Sequence, residues 1–167
     1  MAGIAGIFKG GETAMVENML GTIKQRGNFG KKIFERPEYT VGIIWNKQED
    51  DDINYYFNHD ILHDGPGFGQ MANVRISNGS PVISRDTLGV SPMYYTMSPN
   101  GRPYAFASEV KSLLPVSGII YELAPGHLLT EHHLEKVAEV EKKPALHSSQ
   151  EEIKRNILDI LFRAVSR

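Results

Sequence analysis

Apolar positions along the chain fall into short runs of period two, interrupted once near the start and once at the end by a period close to 3.6. Residues 3–8 (Gly3-Ile4-Ala5-Gly6-Ile7-Phe8) predict a buried strand whose glycines let another layer approach closely. Met15, Met19 and Ile23 recur four apart and predict a helix over about 13–24, ended by Arg26-Gly27-Asn28. Tyr39–Trp45 reads as a strand, and an acidic turn at 49–52 predicts that it forms a hairpin with 53–57. Residues 64–70 are turn-rich. Asn78-Gly79 between the apolar runs 74–77 and 81–85 is a strong hairpin signal. Strands are predicted at 93–97 and 104–107, broken by Pro99-Asn100-Gly101.

Ser108 is placed to cap a short helix carrying Val110, Leu113 and Leu114, with Glu109 in its first turn and Pro115 as its stop. Strands at 119–121 and 127–130 flank the turn Ala124-Pro125-Gly126. Residues 131–147 are polar and read as a linker. Beyond them Ser148 and Glu151 make a capping-box pattern for a helix over 148–167, whose Ile153, Ile157, Ile160, Leu161 and Ala164 form an apolar stripe. That stripe predicts docking on the sheet domain, a second module or another copy of the chain, with a contact to a module or a copy the expected one. Many short strands with few helices indicate an α+β fold dominated by antiparallel sheet.

At 167 residues the chain suits one domain, and 41% hydrophobic with 23% charged residues marks it as globular. Its apolar runs are too short to span a bilayer, and no signal peptide is visible, so neither a membrane nor an export route is expected. Zero cysteines exclude disulfides and thiolate chemistry and fit a cytoplasmic setting. A net charge of -2 without a dense basic stripe argues against nucleic acid as a partner.

Several constellations carry chemistry on paper. His59 and His63, four apart with Asp60 and Asp64 beside them, have metal-ligand spacing and would suit a small metal-dependent hydrolase. The run between strand and glycine turn is too short to establish the helix such a site needs, so turn and surface roles are the better reading, and no metal is expected. His132-His133 are adjacent and point different ways. Ser108-Glu109-Val110-Lys111 matches a Ser-x-x-Lys pattern, but its Ser-Asp-Asn and Lys-Thr-Gly companions are absent. Gly65-Pro66-Gly67-Phe68-Gly69 lacks the Gly-Lys-Ser/Thr of a phosphate loop and reads as a turn.

Four segments in register carry a more specific signal: Met1-Ala2-Gly3-Ile4-Ala5-Gly6-Ile7-Phe8; Arg85-Asp86-Thr87-Leu88-Gly89-Val90-Ser91-Pro92-Met93-Tyr94-Tyr95; Ala107-Ser108-Glu109-Val110-Lys111; and Ala124-Pro125-Gly126. Together they resemble the class II glutamine amidotransferase domain of asparagine synthetases. The resemblance covers 1–30 and 75–130 well and the stretch between them poorly. It implies an N-terminal-nucleophile hydrolase fold, an αββα sandwich of two antiparallel sheets, shortened here, over residues 1–130. The linker 131–147 would then lead into a helix at 148–167 that begins a synthetase module. The resemblance places no cofactor in this domain, and ATP with Mg in the partner module.

In that family the residue after the initiator methionine is a cysteine, whose α-amine is its base. Here it is Ala2, whose methyl group cannot attack a carboxamide. Arg26, Gly27 and Asn28 occupy the place of the family's Arg-Gly-Pro-Asp loop, the candidate substrate contact, without its proline and aspartate. The Asn-Gly-Glu motif and the acidic turn that clamp glutamine have no match, and Asn78-Gly79 is explained by its hairpin. Arg85, Asp86, Gly89, Pro92, Tyr94, Ser108, Glu109, Lys111, Pro125 and Gly126 are signature positions expected to be structural. Residues 31–84 are shorter than the family's corresponding segment. The expected function is therefore a domain without glutaminase activity that scaffolds or regulates an amide-forming synthetase. The alternative is a genuine glutaminase in which alanine was introduced for cysteine.

Overall fold

The computed structural model describes residues 2–46, 57–58, 61–63, 72–141 and 148–166. Its strands form two antiparallel six-stranded sheets. The first contains β1 (Gly3–Ile7), β2 (Gly30–Arg36), β3 (Tyr39–Trp45), β8 (Tyr94–Met97), β9 (Pro103–Ala107) and β10 (Ile120–Glu122), in the order β10-β8-β9-β1-β3-β2. The second contains β4 (Phe57–Asn58), β5 (Ile61–His63), β6 (Ala72–Ser77), β7 (Ser80–Arg85), β11 (His127–Leu129) and β12 (Leu134–Lys136), in the order β12-β11-β7-β6-β5-β4. Helices α1 (Thr13–Gly21) and α2 (Val110–Leu113) cover the first sheet, and α3 (Gln150–Val165) ends the described chain. The result is α+β, with two stacked antiparallel sheets.

Alternation along β1 builds two cores at once. Ala2 and Ile4 face the second sheet and join Val41, Ile43, Val74, Ile83, Phe106 and Leu129. Ala5 and Ile7 face the helices and join Val16, Met19, Leu20, Ile23 and Leu113. The 13–24 periodicity thus buries Met19 and Ile23 as predicted, while Met15 packs at the margin. A period of two is what one strand needs to serve two layers. With both faces covered, all of β1 and β3 is buried, and they read as apolar runs.

The turn at Asn78-Gly79 places both residues at positive φ, 51° and 79°, and pairs Ser77 with Ser80 as the dipeptide predicts. The predicted hairpin between 39–45 and 53–57 does not form. Both edges of β3 are taken, by β1 on one side and by β2 on the other, and Phe57 pairs instead in the second sheet. Residues 47–56 lie outside the described residues. Strand β2 itself, Gly-Lys-Lys-Ile-Phe-Glu-Arg, was hidden because an exposed edge strand carries charges where a central strand carries apolar residues.

Three further expectations are corrected. Ser108 does not cap α2; the residue before that helix is Glu109, without a side-chain cap, and the Ser108 hydroxyl serves β1 instead. Within the polar stretch 131–147, Leu134–Lys136 pairs with β11 as an exposed edge strand. The cap of α3 lies one residue later than the pattern suggested: Ser149 Oγ accepts from the Glu152 backbone N–H.

Candidate functional site

Ala2 stands at the head of β1, wholly buried, with its methyl group in the core between the sheets. Its carbonyl oxygen accepts a hydrogen bond from Arg26 Nη1 at 3.2 Å. Arg26 lies on the 3-10 turn Lys24–Arg26 after α1, and its Nε sits 2.5 Å from Glu109 Oε1. Glu109 also accepts from Gln25 Nε2, 3.0 Å from each carboxylate oxygen, and pairs with Lys111 Nζ at 3.2 Å. Burial alone pushes the Glu109 carboxyl up, but Arg26 and Lys111 outweigh it and hold the group below its ordinary range.

Ser108, beside Glu109, ties down the same strand. Its Oγ accepts from the buried Ile4 N–H at 3.0 Å, and its own N–H donates to the Ile4 carbonyl at 2.9 Å. Ser108 and Glu109 therefore hold the N-terminal strand from two sides, one through its backbone and one through Arg26.

The loop after Arg26 hugs β3. A Cβ on Gly27 would lie 2.2 Å from Trp45 N, so no other residue fits without moving that strand. The Asn28 N–H donates to Asn46 Oδ1 at 3.0 Å, and Asn46 Nδ2 donates back to the Gln25 carbonyl at 3.2 Å. Of the three candidate substrate contacts, Arg26 is thus engaged by Glu109 and Ala2, whereas Gly27 and Asn28 line an open groove on the helix side of the sheet.

A second cluster lies at the end of β7. Arg85 is buried and spends its guanidinium on backbone: Nε to the Ser91 carbonyl at 3.0 Å, Nη1 to the Leu123 carbonyl at 2.6 Å and Nη2 to the Gly89 carbonyl at 2.9 Å. Nη1 also meets Glu122 Oε1 at 2.6 Å. Asp86 Oδ1 accepts from the Leu88 and Val90 N–H groups at 3.0 and 3.3 Å, and its carbonyl accepts from Gly126 N at 3.0 Å. Gly89 adopts φ +67°, and a Cβ there would sit 2.6 Å from Pro125 Cγ. Arg85, Asp86, Gly89, Pro125 and Gly126 are therefore one structural unit that fastens two loops. Pro92 is half-buried beside it, and Tyr94 packs on the helix-side core.

Other candidates fall elsewhere. His132 and His133 are exposed, in a turn organised by Thr130, whose Oγ1 accepts both of their backbone N–H groups. His59, Asp60 and Asp64 lie outside the described residues, as does the glycine run 65–69; His63 lies in β5. The Arg26–Glu109 pair was missed by sequence reasoning. Each residue stood in a motif already noted, but no spacing rule connects positions 83 apart.

What the first cluster can do chemically is limited by its centre. It fixes and polarises the carbonyl of residue 2, but the side chain it presents has no lone pair to donate.

A family model described as a glutamine amidotransferase domain matches residues 69–155. No curated protein matches the chain. Among solved structures it is similar to the glutamine phosphoribosylpyrophosphate amidotransferase from B. subtilis complexed with ADP and GMP, with a TM-score of 0.62 and 11% identity over 81% of this chain and 49% of that one. The chain thus spans about half the length of that structure, and the likeness is one of fold. The family match takes in the Arg85 cluster, the Ser108-Glu109 pair and the Pro125-Gly126 turn, and the paired sheets repeat the N-terminal-nucleophile architecture. The chain belongs to the glutamine amidotransferase domain family.

Proposed function

We propose that this domain does not hydrolyse glutamine and serves as a scaffold or regulator for an ATP-dependent, amide-forming synthetase of the asparagine synthetase kind. The observation that carries the reading is Ala2: a methyl group in the nucleophile slot, wholly buried between the sheets, in a chain without a cysteine. Covalent catalysis of amide hydrolysis needs an attacking atom and an oxyanion site within reach of the substrate. Neither follows from a buried methyl whose neighbouring cation is already bound to a carboxylate. In this reading ATP and Mg belong to the synthetase module, and the stretch after β12 connects it to a domain that includes β12, in a cytoplasmic assembly. Helix α3, none of whose residues is buried, supplies the contact to that module or to a second copy of the chain.

The test is glutamate release from glutamine by the purified chain and by Ala2→Cys with Met1 removed. Both should stay at background, the second because its thiol would enter the core in place of the methyl. Turnover well above background in Ala2→Cys would favour a genuine glutaminase with a substituted nucleophile, and turnover in the unaltered chain would overturn the proposal outright.

A further inference from the structure

Between the end of α1 and the loop after Arg26 lies an open groove of about 560 Å³, within the range of small-molecule sites. It is separate from the nucleophile slot. Ala2 faces the core between the sheets, whereas the groove's floor, Leu20 and Ile44, belongs to the core on the helix side. Phe29 forms a wall and is 52% exposed, an apolar ring left in water beside an apolar floor.

The polar rim is unequal. Lys31 is neutralised by Glu17, with Nζ 2.6 Å from Oε1. Lys24 has no ion pair and the Asn28 carboxamide no hydrogen bond among the described residues, yet both line the groove. The rim thus carries one uncompensated positive charge and one free amide above an apolar pocket. Gly21 lies on the α1 side with nothing within 4 Å of where its Cβ would be, so the helix does not close the groove.

We propose that this groove binds a small organic monoanion, a carboxylate joined to a flat apolar body. The body would lie on Leu20 and Ile44 against Phe29, and the carboxylate would take Lys24 and the Asn28 amide. A charge-assisted hydrogen bond to Lys24 gives the selectivity for an anion, and removal of the exposed Phe29 ring from water gives the affinity. The proposal is independent of whether the domain hydrolyses glutamine.

The probe is 3-phenylpropanoate, titrated into isotopically labelled full-length chain while backbone amide shifts are followed by NMR, with 3-phenylpropanamide and acetate as controls. Saturable shifts are expected at Gly21, Asn28, Phe29 and Gly30 with a Kd of about 1 mM or tighter. The amide and acetate should each bind about tenfold more weakly, since each lacks one half of the recognition. Lys24→Ala and Phe29→Ala, both changes at the surface with unaltered spectral dispersion as the check on folding, should each weaken the probe by about tenfold. Absence of saturation at 10-fold higher probe, equal binding of the neutral amide, or unchanged binding by Lys24→Ala would each overturn the proposal.

Discussion

The cluster around Arg85 and the cluster around Ala2 are built by the same means and differ at their centres. Each places a guanidinium over backbone carbonyls and uses a carboxylate to steady a neighbouring loop. In the first, every partner is structural: the Arg85 side chain is only 7% exposed and holds loops 86–91 and 122–126 against β7. In the second, the framing acts on the backbone of β1, at the Ala2 carbonyl and at the N–H and carbonyl of Ile4, and the side chain it surrounds is a methyl group. How a backbone is framed and which side chain the frame surrounds are thus separable in this fold.

Breaking the first cluster should have the largest effect. Arg85→Ala orphans the Ser91, Gly89 and Leu123 carbonyls, and buried acceptors left without donors make this about a 3–5 kcal/mol loss, read as a shift in urea midpoint. The Glu122 partner is 58% exposed, so Glu122→Gln should lose well under about 1 kcal/mol. If the two substitutions proved equal, the ion pair rather than the carbonyls would be holding the loops.

Arg26→Ala should cost less, roughly 1–3 kcal/mol, because the Ala2 carbonyl loses a donor while Glu109 keeps Gln25 and Lys111. The carboxyl adds a dependence on pH. Its proton affinity is lowered in the folded chain, so its stabilisation is complete above the ordinary value of 4.5 and is lost as pH falls through the lowered one. The stability gap between the natural chain and Glu109→Gln should therefore be widest above about pH 5 and narrow steadily on acidification. A gap that stayed constant with pH would mean that the glutamine amide replaces the carboxylate fully and that charge plays no part.

How much of this was legible in the sequence follows from the range of the interactions. The Asn78-Gly79 hairpin, helix α1 and the turn at Gly126 depend on neighbours within a few residues, and local pattern found them. The signature around Arg85 could be recognised, yet the role of its residues could not be seen, since Leu123 lies 38 positions from Arg85 and the contact is to backbone. Strand β2 was missed because charge on an edge strand looks like loop. The hairpin expected between 39–45 and 53–57 is absent because β1 and β2 occupy both edges of β3, and adjacency in sequence carries no information about that. Ser108 was given to the helix that follows it, whereas its hydroxyl was needed by Ile4, 104 residues earlier. That residue 2 carries only a methyl group, in contrast, needed no more than its identity.

The smallest effect on the fold is expected at α3. Ile157 and Leu161 are 52% and 54% exposed, so Ile157→Ser with Leu161→Ser removes little buried area from the domain and should change its melting temperature by no more than surface substitutions do, about 0.5 kcal/mol in stability. The same double change should abolish any self-association or docking through α3, because a contact there would bury both side chains at roughly 1.5–3 kcal/mol each. Light scattering and thermal melts of the two proteins, measured side by side across a range of concentrations, separate these effects. A natural chain that is strictly monomeric and whose melting temperature collapses in the double variant would mean that α3 packs on the domain's own sheets. The comparison would then have to include α3 as a third framed region of one core, instead of a surface that the two clusters leave free for a partner.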